Sequence, residues 1–453
     1  MNMGMIMKLL AERKALRTRE RWARPHLEAY QSQALHLLRE YAYAHSPFYQ
    51  LFHKGLYDAP LQELPVLTKA MLMEHFDDLV TDRSIRLEDV KAYVANRRGA
   101  ELFLGRYFVN STSGTSGRPG LFLANRDEWL ATLAGALFRV FAWAGIKLKL
   151  THPLKMAQIT STNPSHMSAQ GANTMGTKWM PIMQLAASEP VRTLVDRLNA
   201  WQPEAVIAYA SMLRILAEEQ LAGRLEITPR SVLSGSEVLT QETRRRAVQA
   251  WGNVLFNEYG STDGGGLGAE CDKHHGLHLQ EDLVIAEVVD RDNHPVPVGV
   301  YGDKLLVTVL GSRAQPLIRY EMDDSLRLSS DLCPCGRPFT LIDDIQGRVH
   351  EILSFRGVGG GNVNVHPIVF HNIMDTLPVN GWQVVQEVDG LHVLLSSARG
   401  TLDEKKLADT VQQALAKQGA VVPRIEIQKV FSIPQTASGK TPLVKSNLPS
   451  FSP

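Results

Sequence analysis

Three cysteines in 453 residues are too few for a disulfide scaffold, and their scarcity fits a reducing, cytoplasmic setting. No run of about 20 apolar residues occurs, so no transmembrane helix is expected. Charge of one sign is also missing. The 48 Lys+Arg against 47 Asp+Glu leave a formal net charge of +1. That balance gives no general reason to bind nucleic acid or an anionic membrane. The opening MNMGMIMKLLAERKALRTRERWARP has an apolar run too short for a secretory signal, and no small-residue cleavage site follows it. Internal repeats are absent.

What is present is ordinary globular usage, 44% hydrophobic and 21% charged. At roughly 150 residues per domain the length predicts two or three domains. Residues 8–55 carry apolar positions at helical spacing (Leu27, Tyr30, Leu35, Leu38, Tyr41). Thr68 is placed to cap a helix whose apolar face is Leu72, Met73, Phe76 and Leu79. Tyr107-Phe-Val109 reads as a strand, followed by a Ser/Thr/Gly loop and Leu121-Phe-Leu123; residues 127–146 read as helix. From 205 to 262 short apolar runs (AVIAYA, SVLSG, VLFNEYGST) alternate with helical segments. That rhythm predicts a parallel sheet with ligand loops at strand C-termini. Beyond about 275 the pattern turns β-rich. The Gly-rich SFRGVGGGNVNVH (354–366) reads as a linker, and about 100 residues after it read as a small α+β domain.

Four segments carry chemistry. Asn110-Ser-Thr-Ser-Gly-Thr-Ser-Gly-Arg-Pro-Gly120 alternates hydroxyls with glycines, which lets backbone and hydroxyl donors approach phosphate oxygens, but it lacks the spacing of a Walker P-loop. Asn257-Glu-Tyr-Gly-Ser-Thr-Asp263 offers an aromatic face, two hydroxyls and a carboxylate fit for Mg²⁺. Pro316-Leu-Ile-Arg-Tyr-Glu-Met-Asp-Asp324 ends a strand in paired acids, where a carboxylate can accept from ribose hydroxyls. Pro434-Gln-Thr-Ala-Ser-Gly-Lys-Thr-Pro442 puts a lysine on a Gly-containing loop, able to meet developing negative charge. Taken singly, each also reads as an ordinary loop, turn, strand end or tail.

In this order the four segments resemble the adenylate-forming superfamily of acyl-CoA synthetases and adenylation domains. FYQLF with LPVLTKAMLMEHFDDL, ECDKHHGLHLQED (270–282) and Cys333-Pro-Cys-Gly-Arg337 are similar to the phenylacetate–CoA ligase and coenzyme F390 synthetase-like branch, over about residues 45–445. The resemblance implies an α/β fold. A large N-terminal domain (1–346) with mixed and parallel sheets and a β-rich subdomain binds ATP and the acid. A hinge and Gly-rich linker (347–363) leads to a small α+β domain (364–453) that rotates and carries Lys440. It implies ATP-dependent activation of a small carboxylic acid as an acyl-adenylate, with Mg²⁺, then transfer to CoA. An aryl or arylacetic acid is the expected substrate.

By the same resemblance Ser113, Gly114, Thr115, Ser116 and Gly117 cradle phosphates. Ser236, Glu237, Tyr259 and Gly260 line the adenine pocket. Thr262 contacts phosphate, Asp263 holds Mg²⁺, and Asp324 with Arg348 holds the ribose. Lys440 stabilises the adenylation transition state. Tyr209, Ala210, Ser211, Gly235 and Ser261 belong to the acyl pocket, with Trp129, His166 and Met167 near its mouth. Some features depart from the family pattern. Asp263 stands where Glu is usual, His350 replaces the hinge acid, and the run Arg356-Gly-Val-GGGNV-Asn364-Val-His-Pro367 carries about five extra residues. These departures allow transfer to a carrier-protein thiol or an amine instead, or a degenerate nucleotide-binding protein without ligase activity. Relatives also allow a homodimer.

Cys271, Cys333 and Cys335 fall in two of the family segments, with His274, His275 and His278 beside the first. Three thiols and one imidazole make a closed tetrahedral Zn²⁺ site. His278 completes it by the family's GLH pattern, with His275 as the alternative; the other reading is three reduced, unligated thiols.

Overall fold

The computed structural model describes residues 3–97, 99–112, 120–146, 152–348, 351–365, 367–374, 376–379, 381–396, 402–435 and 441–448. The helical pattern at the N-terminus is three helices, Met3–Arg19, Arg24–His45 and Pro47–Phe52, where the sequence predicts a continuous one. Pro25 and Pro47 explain the breaks, since a proline cannot continue a helix but suits its first turn. Thr68 caps Lys69–Glu74 as expected, its Oγ1 accepting from the Met71 amide at 3.2 Å.

β1 (Tyr107–Ser111) and β2 (Leu121–Asn125) pair antiparallel. The main sheet then begins with β3 (Met156–Thr160), β4 (Ile182–Ala186), β5 (Ala205–Tyr209), β6 (Ser231–Gly235), β7 (Leu255–Ser261), β8 (Gly265–Glu270) and β9 (Leu277–Leu279). A three-stranded sheet of β10 (Val284–Val289), β11 (Lys304–Val309) and β12 (Tyr320–Met322) follows. The chain then returns through β13 (Asp324–Ser329) and β14 (Leu341–Arg348). The main sheet has nine strands in the order β13-β14-β9-β8-β7-β6-β5-β3-β4. β4, β3, β5, β6 and β7 run parallel; from β7 onward every pairing is antiparallel.

Helices Met167–Met175, Val191–Trp201, Ala210–Leu221 and Gln241–Trp251 connect the parallel strands. Alternation sends successive residues to different cores: Val206, Val232 and Leu255 pack with Leu194, Leu198 and Leu216, whereas Ala205, Leu233 and Phe256 pack with Trp129 and Trp143. Burial on both faces is why these strands read as short apolar runs.

The helical pattern after β2 is interrupted. Arg126–Leu133 passes into a π-helical stretch, Ala134–Arg139, before Val140–Trp143. This wide turn presses on the sheet: a Cβ on Gly266 would stand 3.0 Å from the Ala136 Cβ. Arg139 is buried and pairs with Asp282 through both carboxylate oxygens, at 2.8 and 2.6 Å.

The C-terminal unit has its own core. β15 (Leu353–Arg356) and β16 (Asn362–Val365) form a hairpin whose Leu353, Phe355 and Val365 are buried. The glycines predicted as a linker make the turn of this hairpin: the Gly357 amide donates to the Gly361 carbonyl at 2.9 Å, with Gly360 and Gly361 at φ +86° and +73°. β17 (Gly381–Glu387), β18 (Gly390–Ser396), β19 (Ile425–Val430) and β20 (Val444–Ser446) form a four-stranded sheet in the order β19-β18-β17-β20, with helices Pro367–Met374 and Glu404–Lys417.

The π-interrupted helix starts from a full capping box. Asn125 Oδ1 accepts from the Asp127 and Glu128 amides at 2.9 and 3.0 Å, and Glu128 returns a bond to the Asn125 amide at 2.6 Å. Asn125→Ala is expected to lower unfolding stability by about 1 kcal/mol in urea titration. An unchanged midpoint would mean that packing alone fixes this helix.

Candidate functional site

The C-terminal ends of β3, β5, β6 and β7 open onto one cleft, lined there by Thr160, Tyr209, Gly235 and Ser261. The connection after β3 runs to β4 on one side and the connection after β5 runs to β6 on the other, so the cleft lies at the topological switch of the parallel half. Ser111, Thr112, Asp263, Asp324 and residues 444–448 of the C-terminal unit line it too. Segments far apart in the chain therefore meet in one place.

β7 divides the cleft. Tyr259 packs in the core shared with Leu267 and Ile342, and its hydroxyl donates to Asp324 Oδ2 at 2.8 Å. The register of β13 on β14 sets Asp324 opposite the backbone of Arg348, the other residue expected at a ribose. On the next strand end, Ser236 adopts a left-handed φ of +66°. Glu237 then bridges two units: Oε2 accepts from the Ser211 amide at 2.9 Å, and Oε1 accepts from the Thr441 amide at 3.3 Å. Thr441 follows Lys440 directly. Lys440, Ser113, Gly114, Thr115, Ser116, Gly117 and His350 lie outside the described residues, and of Arg348 only the backbone is described. Thr112, just before that loop, accepts at Oγ1 from the Gly120 amide at 2.8 Å and from Lys69 Nζ at 3.3 Å.

Thr262 and Asp263 sit in the turn after β7 and line the cleft. The Tyr320 hydroxyl bonds Asp263; burial, reinforced by that carboxylate, pushes the Tyr320 phenol well above its usual range. Ser261 Oγ accepts from the Gly264 amide at 2.8 Å and tightens the same turn.

The residues expected in an acyl pocket divide. Tyr209, Gly235 and Ser261 line the main cleft, as do His166 and Met167 and the nucleotide-site candidate Gly260. Ala210 and Ser211 instead line the adjoining hollow with Glu237, Val238 and Tyr259, because the chain turns into helix Ala210–Leu221 directly after Tyr209. Trp129 lies in the core, stacked on Phe108 at 4.8 Å with its indole N–H on Thr174 Oγ1 at 3.0 Å. His166 Nδ1 is 2.7 Å from Ser161 Oγ, and the Ser161 amide donates to the Tyr209 hydroxyl at 2.9 Å. Burial pushes the Tyr209 phenol up to about 12, so it stays protonated.

Sequence reasoning did not single out Glu258. It lines the cleft, and desolvation pushes its carboxyl up to about 8. The available signal was period two: Phe256 and Glu258 must share a sheet face, opposite to that of Tyr259. The bridge from Glu237 to Thr441 had no sequence signal, since it joins residues 204 apart.

Away from the cleft, the ligand atoms of Cys271, His278, Cys333 and Cys335 all lie within 4.8 Å of one another. Cys271 Sγ is 3.6 Å from Cys333 Sγ, and His278 Nε2 is 3.4 Å from Cys271 Sγ and 3.3 Å from Cys335 Sγ. Tetrahedral zinc, at about 2.3 Å to sulfur and 2.0 Å to nitrogen, separates its ligands by about 3.5–3.8 Å. The donor set therefore fits that ion in kind and in spacing. His278 is the imidazole brought in; His275 is not part of the group.

No family model matches the chain. It is 26% identical over 414 residues to a phenylacetate-coenzyme A ligase of Thermus thermophilus, covering 87% of this chain and 84% of that protein. Among solved structures it is similar to a 2-hydroxyisobutyryl-CoA ligase in its postadenylation state with 2-HIB-AMP, at 20% identity and TM-score 0.71, covering 95% of this chain and 91% of the other. The same ligase in its thioesterification state, with 2-HIB-AMP and CoA, gives TM-score 0.56 at 19% identity, covering 95% and 92%. The fold is that of the acyl-CoA ligase-like adenylate-forming enzymes.

Glu258 makes a testable pH signature. Its folded pKa is raised from 4.5 to about 8, so the folded state binds more protons than the unfolded state between those values. The stabilisation is present below the unfolded value and is lost as pH rises through about 8. Glu258→Gln removes this titration. Its melting temperature relative to wild type is expected to be higher at about pH 9 than at about pH 6, and an equal difference at both would contradict the assignment.

Proposed function

From a chain that is phenylacetate–CoA ligase-like in sequence and adenylate-forming in fold, we propose an AMP-forming acid–thiol ligase that joins a small carboxylic acid to CoA, with an aryl or arylacetic acid as substrate. The observation that carries this reading is convergence: the loop flanks at 111–112, Ser236, Glu258, Gly260 to Asp263, Asp324 and residues 444–448 line one cleft at the switch point of the sheet.

In this reading the acid's carboxylate attacks the α-phosphorus of ATP, and pyrophosphate leaves. The thiol then attacks the acyl carbon, and AMP leaves. Tyr259 offers a ring face to adenine while its hydroxyl fixes Asp324, which accepts from the ribose. Thr262 contacts phosphate, and Asp263 would hold Mg²⁺, an ion that would neutralise phosphate charge. Asp263 fits the task by its place in a cleft-lining turn where a tyrosine hydroxyl already fixes one side of the carboxylate. Lys440 meets the charge that builds on the α-phosphate. The bond from Thr441 to Glu237 supports the assignment, since it ties the residue after Lys440 to the cleft wall. The closer similarity to the postadenylation form of the comparison ligase agrees with an arrangement suited to the first half-reaction.

Zn²⁺ held by Cys271, His278, Cys333 and Cys335 would be structural, because four protein ligands leave no open position. It would pin the loop after β13 to the β8–β9 hairpin.

Two experiments test these assignments. Pyrophosphate release with ATP, Mg²⁺ and a panel of acids should require one acid class and should turn over with CoA. Lys440→Ala should slow release by about 10²–10³-fold. Release unaffected by Lys440→Ala would overturn the role of that loop, and a single burst indifferent to CoA would assign the acceptor to a carrier protein or an amine. Separately, purified protein should contain about one zinc per chain, lost in Cys333→Ser together with thermal stability. Metal-free wild type of the same stability would contradict the zinc site.

A further inference from the structure

The main cleft runs down into an arm between the sheet and the helices that cover it. Met156, Ile182 and Ile207, from β3, β4 and β5, line it on the sheet side. All three pack in the core that holds Leu133 and Met175, on the sheet face turned toward the π-interrupted helix. Register gives the depth. Thr160 ends β3 at the cleft, whereas Met156 begins β3 and pairs with Ile182. From residue 160 down to 156 is roughly 13 Å, at about 3.3 Å per residue. Helix Met167–Met175 is a second ruler. Met167, Gly171 and Met175 line the same cleft on one helical face, and from residue 167 to 175 is roughly 12 Å, at about 1.5 Å per residue.

Two observations mark the arm as open space. β5 lies inside the sheet, between β3 and β6. Its residues Ala205, Val206, Ala208 and Tyr209 are buried, yet Ile207 in the middle is only half-buried. Gly171 sits inside helix Met167–Met175, where glycine is less favourable than alanine. A Cβ there would meet nothing closer than Leu133 Cδ2 at 3.5 Å, an ordinary contact, and Gly171 is not among the residues of positive φ. Neither close packing nor backbone conformation requires this glycine; the missing side chain leaves the arm clear at mid-depth. Gln158 is polar there, but its amide N–H groups are taken by Thr160 Oγ1 at 3.0 Å and the Ser168 carbonyl at 2.9 Å.

We propose that this arm measures length, and that the acid activated here is elongated: its apolar part extends well beyond one aromatic ring, to the level of Met156 and Met175, past Gly171 as the specificity-determining gap. The inference rests on the ligase reading for the identity of the cleft and adds to it the size of the substrate's acyl part. At about 1.5 Å per carbon–carbon bond, an arm of this depth takes roughly eight to ten carbons in line. A ring one carbon from its carboxylate, as in phenylacetic acid, would leave the deep half empty. Apolar walls left without partner atoms forfeit both contact and burial, and a longer acid recovers them.

The test compares phenylacetic, phenylbutyric, phenylhexanoic and phenyloctanoic acids, each with the ring at the chain end. Binding is measured by calorimetry, and pyrophosphate release in parallel. The wild-type Kd is expected to fall by about fourfold per added methylene until the arm is full. In Gly171→Leu the new side chain crosses the arm at mid-depth. The long acids should then lose at least about 10-fold in affinity, and the optimum should move to a shorter acid. Gly171→Ala guards against loss of folding in the Leu variant: it should melt no lower than wild type, because alanine favours the helix, yet bind the longest acids more weakly. A length preference in binding without pyrophosphate release would sink the ligase reading and leave this inference standing. Affinity that stays flat or falls beyond phenylacetic acid, a length optimum unchanged in both variants, or no binding of any acid in the series would overturn it.

Discussion

A β-strand must show successive residues to opposite faces, and this site depends on that constraint at β7. Glu258 and Tyr259 are neighbours in the chain, yet one faces the π-helical turn and the other faces Asp324. A single strand therefore separates two chemically different pockets and lets them meet at its end, where Ser261, Thr262 and Asp263 turn the chain back. β7 is also where the sheet changes character, the last strand of the parallel half and the first to pair antiparallel. The parallel half supplies the crevice. The antiparallel half brings Asp324 and the backbone of Arg348 to its rim.

The surrounding structure keeps that strand end in place. Arg139 and Asp282 form a buried pair that ties the π-helical turn to the segment after β9. Breaking such a pair is costly, because either partner alone is a buried charge. Close contact of Gly266 with Ala136 leaves no room for a side chain between turn and sheet. On the other side Glu237 joins the first turn of helix Ala210–Leu221 to the backbone after Lys440.

Much of this was legible in the sequence. Parallel strands buried on both faces stand out as short apolar runs, and Thr68 marks a helix start by known chemistry. The Cys/His cluster was legible as well, because Cys271, Cys333 and Cys335 are the chain's sole thiols and His278 sits in a recognisable segment. Other features escaped for physical reasons. The Gly-rich stretch read as a linker by composition, but its flanking Leu353, Phe355 and Val365 alternate into a core that composition does not reveal. The π-helical stretch is set by packing against β8, which no local pattern encodes. Glu258 was one letter inside a motif, and only the pairing of β7 with β8 sets it on the face opposite to Tyr259.

The central claim is that a carboxylate attacks the α-phosphorus of ATP in this cleft. Oxygen-18 in the carboxylate of a turned-over acid tests it directly. The account predicts that one labelled oxygen per turnover appears in AMP, carried there when the thiol breaks the acyl-adenylate. Label in inorganic phosphate with formation of ADP, or AMP free of label, would contradict it.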